Sequence, residues 1–172
     1  MTLLEAAAAL RARQVSSAEL TAWSLARIRS LNPKLNAIQT LLEDRAMAAA
    51  HQADEELLRG VDRGPLHGIP VAVKDVFETK GVRTTCGSRL FQDHVPDRDA
   101  TVVEKLALAG AVLVAKTTMH ELAYGITCNN PHFGPVRNPW NPECVPGGSS
   151  GGSGSSVAAE MVFMAMGSDT GG

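Results

Sequence analysis

Ile69-Pro70-Val71-Ala72-Val73, with Lys74 directly behind it, is the stretch on which the fold reading turns. A short apolar run of this kind, entered through the Gly and Pro punctuation of residues 60–68, suits a buried strand, with its proline at the strand start or on an edge. Ala111-Val112-Leu113-Val114-Ala115 has the same character and also ends on a lysine, Lys116. Between the two runs, Asp99 is placed to cap a helix over residues 100–109, with Gly110 behind it. Strands separated by a helix predict an α/β domain with a mixed, partly parallel sheet, flanked by helices and joined by right-handed crossovers.

Towards the N-terminus the pattern is helical. Residues 2–13 are rich in Ala and Leu, Ser16-Ser17-Ala18-Glu19 fits a capping box opening a second helix that Asn32-Pro33 is expected to end, and Glu43 to Arg59 reads as a third with Gly60 as its stop. Towards the C-terminus, residues 125–146 hold Gly, Pro and Asn without periodicity and read as a long loop. From Gly147 to Ser156 every residue is Gly or Ser; the apolar segment 157–166 and then Gly167-Ser168-Asp169-Thr170-Gly171-Gly172 follow.

With 172 residues, 44% hydrophobic and 20% charged, the chain has the composition of a soluble globular domain able to bury a core without disulfides or metals. A net charge of −2 with no basic block gives no footprint for nucleic acid or an anionic membrane, and points to small or uncharged partners. Three scattered cysteines, 86, 128 and 144, form no CxxC pair, which suits a reducing cytoplasm. The start, MTLLEAAAALRARQ, lacks the basic region of a signal peptide, and no apolar stretch approaches a membrane span. The expected location is cytoplasmic.

Ten consecutive Gly and Ser residues are, by themselves, most often a flexible linker. A linker joins domains, however, and the segment after Ser156 is too short to be one. The other reading is a loop whose backbone must come close to something, because Gly permits close approach and Ser supplies hydroxyls. A Walker A loop would need Lys after its last Gly, and a dinucleotide loop would need Gly where Val157 stands. Gly147-Gly148-Ser149-Ser150-Gly151 matches the letters of a nucleophile elbow, but Val145-Pro146 precedes it instead of a strand and no His follows His132. No metal site is expected: His120-Glu121 starts an HExxH pattern that Tyr124 breaks, and the other histidines have no ligand spacing.

Three segments together carry a resemblance. Gly68-Ile69-Pro70-Val71-Ala72-Val73-Lys74-Asp75, Gly147-Gly148-Ser149-Ser150-Gly151-Gly152-Ser153, and Gly167-Ser168-Asp169-Thr170-Gly171-Gly172 resemble, in order and spacing, the amidase-signature family. Thr84-Thr85-Cys86-Gly87-Ser88, Lys116-Thr117-Thr118-Met119 and Phe133-Gly134-Pro135 to Asn138-Pro139-Trp140 extend the likeness over nearly the whole chain. Glu160 and Ser155-Ser156 depart from it, standing where many relatives carry small residues, Gly at the Glu160 position among them.

The resemblance implies the N-terminal part of a single amidase-signature domain, with residues 1–60 a helical region and 61–172 the start of the catalytic core. It implies a Ser-Ser-Lys triad working through an acyl-enzyme without metal or organic cofactor. Lys74 would be the lysine and Ser149 the bridging serine, after a cis peptide bond; the nucleophilic serine would follow Gly171-Gly172, at position 173. Thr170, Gly171 and Gly172 would form the oxyanion hole, with Ser150 and Asp169 supporting. A catalytic lysine must be neutral to act as base, and desolvation at the end of an apolar strand lowers its pKa from about 10.4. By that criterion Lys116 is placed as well as Lys74, and only the resemblance selects Lys74. The expected activity is hydrolysis of a small-molecule carboxylic amide to acid and amine. The alternatives are the amidase subunit of a glutamyl-tRNA(Gln) amidotransferase, with partner subunits, and a truncated chain that is inactive because it lacks its nucleophile.

Overall fold

The computed structural model describes residues 1–171. Two capped helices open the chain: α1, Leu3–Arg11, and α2, Ser17–Leu35, each entered through a reciprocal capping box, Thr2 with Glu5 and Ser16 with Glu19. Each box satisfies two backbone N–H groups that a helix start otherwise leaves without partners. Strand β1, Ile38–Leu41, follows, then helix α3, Glu43–Leu58, and strand β2, Pro70–Lys74. Helix α4, Thr101–Leu108, leads into strand β3, Val112–Thr117. Within 125–146 two short strands, β4, Asn129–Asn130, and β5, Gly134–Pro135, pair antiparallel. Helix α5, Gly151–Ala158, and strand β6, Met164–Met166, complete the order.

The main sheet runs β1-β3-β2-β6, with β2 parallel to both neighbours and β1 antiparallel at one edge. This is the mixed, partly parallel sheet that the strand-helix-strand order predicts. Its centre is dry: Val71, Ala72, Val73, Val112 and Val114 have no solvent exposure. Burying one such valine contributes roughly 1.5–3 kcal/mol. Alternation along the strands divides the core between two faces. Ala72, Val112 and Val114 pack with Leu25, Ile28, Ala46 and Ala50 of α2 and α3. Val71 packs with Ala6, Ala7 and Leu10 of α1, and Val73 with Val103 and Leu106 of α4.

Three local expectations are corrected. Helix α2 does not stop at Asn32-Pro33 but carries Pro33 inside it and ends at Asn36, whose φ of 50° is left-handed. Leu35 is thereby buried, and the Asn32 side chain holds the chain beyond the helix, accepting from Ile38 N at 2.8 Å and donating to Ile38 O at 3.0 Å. In the last turn proline costs one hydrogen bond, and tertiary packing outweighs it. Asp99 does not cap α4: the N-cap is Ala100, without a side-chain bond, and Asp99 Oδ1 accepts instead from Lys80 N at 2.6 Å. The third correction concerns the Gly/Ser run, which is neither linker nor loop beyond Ser150 but forms the greater part of α5.

Candidate active site

Lys74 is the last residue of β2, fully buried, and its ammonium donates to Ser149 Oγ at 2.6 Å and to Ser168 Oγ at 2.9 Å. Burial lowers its pKa by penalising the cation, while the negative charges that Cys128 and Asp169 can carry act in the opposite direction. Ser149 stands just before α5. Its carbonyl accepts from His120 N at 3.0 Å, and the peptide joining it to Gly148 is cis. The glycines here are required by space: a Cβ on Gly148 would lie 2.9 Å from Cys128 N, and one on Gly152 would lie 2.3 Å from Thr118 O and 2.5 Å from Ala37 O. With Gly152 N donating to Thr118 O at 3.0 Å, α5 seats its first turn directly on the backbone beyond β3.

The segment after β6 closes over the lysine. Ser150 Oγ accepts from Ser168 N and donates to Ser168 O, both at 3.1 Å, so the two serines lock the third motif onto the second. Ser153 Oγ donates to Met166 O at 2.9 Å and pairs with Thr117 Oγ1 at 2.8 Å, tying α5 to the strands on either side of β2. Asp169 Oδ1 accepts from Gly171 N at 3.1 Å, an Asx turn that shapes the exposed Thr170–Gly171 bend. Gly172, the third oxyanion-hole expectation, lies outside the described residues.

A lysine, a half-buried serine and a glycine-rich turn thus converge at the surface end of β2. The family model described as Amidase matches residues 19–172. This chain belongs to the amidase family. Two curated relatives, both named as the amidase component (GatA-type) of glutamyl-tRNA(Gln) amidotransferase, are 53% identical over 99% of the chain (Methylococcus capsulatus) and 51% identical over all of it (Azotobacter vinelandii). The chain spans about 35% of the length of each. Among solved structures, one described as an amidase is 43% identical with a TM-score of 0.92, covering 99% of this chain and 39% of that one. The native peptide amidase from Stenotrophomonas maltophilia is 36% identical with a TM-score of 0.90, over 96% of this chain and 35% of its own.

In this amidase-family chain the two strand-end lysines have different surroundings. Lys116, also fully buried, donates to Thr84 Oγ1 at 2.7 Å and lies 3.2 Å from Asp75 Oδ1. Burial lowers its pKa and the Asp75 carboxylate opposes the shift. A lysine committed to a carboxylate is held as a cation; one facing hydroxyls is free to be a base. The register explains the division, since Lys116 pairs with Val73 while Lys74 pairs with Thr117, so the two side chains leave the sheet on opposite faces.

Ser168 has no role in the sequence reading, yet its hydroxyl is one of the two bonded to Lys74. Its signal is membership of the third motif, two residues past an apolar segment that sequence periodicity does not resolve into a strand. Among the described residues no group of His, Cys, Asp and Glu is arranged to hold a metal ion, and no helix is long and apolar enough to cross a membrane.

Proposed function

We propose that this chain supplies the lysine and the bridging serine of an amidase that hydrolyses a carboxylic amide to acid and amine through an acyl-enzyme. The observation that carries the reading is Lys74: a buried amine at 2.6 Å from a serine hydroxyl, its cationic form disfavoured by desolvation. Neutral Lys74 takes the proton of Ser149, which in turn takes that of the nucleophile expected at position 173; the return path delivers a proton to the departing amine. Ser168 holds the lysine from its other side, and Ser150 holds Ser168. Thr170, Gly171 and Gly172 would present N–H groups to the oxyanion, with Asp169 setting the turn. The participation of β1 in the same sheet as β2 and β3 supports residues 1–60 and 61–172 as parts of one catalytic domain.

The test compares the 172-residue chain with one extended through the serine expected at 173 and the remaining family length. Only the extended chain is expected to take up a serine-directed fluorophosphonate and to release ammonia or amine from simple amides. Lys74→Met and Ser149→Ala in that chain should each lower kcat by ~10²–10⁴-fold. Stoichiometric labelling of the 172-residue chain, or undiminished turnover of Lys74→Met, overturns the reading.

A second reading is favoured by the names of the relatives at 51–53% identity: an amidase component that passes ammonia to partner subunits, which use it on glutamyl-tRNA(Gln). Affinity capture of the tagged protein from its own cells separates the two. Stoichiometric partner subunits support the amidotransferase, and a free-standing active chain supports the general amidase.

A further inference from the structure

The pair formed by Asp75 and Lys116 lies at the root of the site yet touches none of its reacting groups. Both side chains have zero exposure. Asp75 Oδ2 accepts from Thr85 N at 2.9 Å and from Thr85 Oγ1 at 2.5 Å, Oδ1 faces Lys116 at 3.2 Å, and Lys116 also donates to Thr84. A buried ion pair is a weak source of stability, because desolvation offsets the Coulomb attraction. Its position suggests another use. Asp75 is the residue after Lys74, and Lys116 precedes Thr117, the register partner of Lys74.

Resting on the assignment of Lys74 as the base, we infer that Lys116 is present to cancel the charge of Asp75, so that the carboxylate next in sequence to Lys74 does not hold that lysine as a cation. Asp75 is needed where it is: it anchors Thr85 by two bonds while its carbonyl accepts from Cys86 N at 3.2 Å, and Cys86 O in turn holds Leu122 N at 2.8 Å. An uncompensated carboxylate there would favour protonated Lys74 across the sheet, where the dielectric is low. With Lys116 beside it the pair has no net charge, whichever partner holds the proton. Both are positioning residues acting through Lys74. The other groups that act on Lys74 are Asp169, on the segment after β6, and Cys128, before β4; Cys86 lies beside the pair itself.

The experiment reads Lys74 directly, independently of turnover. In the 172-residue chain labelled with ¹³C-lysine, the Lys74 Cε resonance, assigned by its loss in Lys74→Met, is titrated by NMR. Lys116→Gln keeps an amide donor for Thr84 and Asp75 but removes the charge, and is expected to raise the Lys74 midpoint by on the order of one pH unit. Asp75→Asn is expected not to raise it, and Asp75→Asn/Lys116→Gln to return it to the parent value. An unmoved midpoint in folded Lys116→Gln, or a rise in Asp75→Asn, overturns the inference. If Lys116→Gln does not fold, the double variant decides, and a displaced midpoint there counts against the pair. A parent Lys74 titrating in the ordinary lysine range overturns the assignment of Lys74 as base instead.

Discussion

Gly152 and Gly154 are two positions apart in α5, identical in type, and opposite in what they do. A methyl group on Gly152 would meet two carbonyl oxygens of the backbone at 2.3 and 2.5 Å, and backbone cannot move aside as a side-chain tip can. Gly154 is exposed and has nothing within 4 Å of its Cβ position. Gly152→Ala should therefore destabilise by ~3 kcal/mol or more, whereas Gly154→Ala should stabilise by roughly 0.5–1 kcal/mol through helix propensity and a less disordered unfolded chain. Urea denaturation of both variants checks the signs. Equal effects would mean that α5 is not seated on the Thr118 backbone. Close approach is legible in the Gly/Ser run; which glycines make it is not, because contact with Thr118 and Ala37 depends on elements far away in sequence.

At the scale of elements, the caps show what local sequence can and cannot settle. The Ser16–Glu19 box is readable because both partners lie within four residues, and Ser16→Ala should cost about 1 kcal/mol in thermal or chemical unfolding. Asp99 misleads because its bond to Lys80 competes with the cap, and Lys80 is nineteen residues away. Asp99→Ala should leave α4 helicity unchanged. The β2 and β3 runs are legible from their apolar composition, while the pairing register that separates Lys74 from Lys116 is not, since it is set between strands. Glu160, three residues before Phe163, shows a departure from the family pattern becoming a testable strain. Its φ of 54° lies in the left-handed region, and its ion pair with Arg27, at 3.9 Å with the carboxylate side 71% exposed, contributes little. Glu160→Gly should raise stability by about 1 kcal/mol. A drop would show that the Arg27 contact matters more than the backbone.

Across the whole molecule, the sheet acts as a partition with a buried lysine on each side, and the fold assigns them opposite charge states. That arrangement sets a pH dependence whose sign can be worked out. The base form of Lys74 is the neutral amine, so activity of the extended protein should rise with pH and level off once Lys74 has lost its proton. Burial lowers that point below the ordinary lysine range, and the carboxylate of Asp169 pulls it partly back by favouring the ammonium. Asp169→Asn removes the charge while leaving an Oδ1 that can still accept from Gly171 N, so the turn is kept and the electrostatics are changed. The rising limb of kcat/KM against pH should move to lower pH, and activity on the acid side of the limb should increase relative to the plateau. A limb that stays in place would show that Asp169 acts on the turn alone. A limb displaced to higher pH would contradict Lys74 as the group that must be neutral.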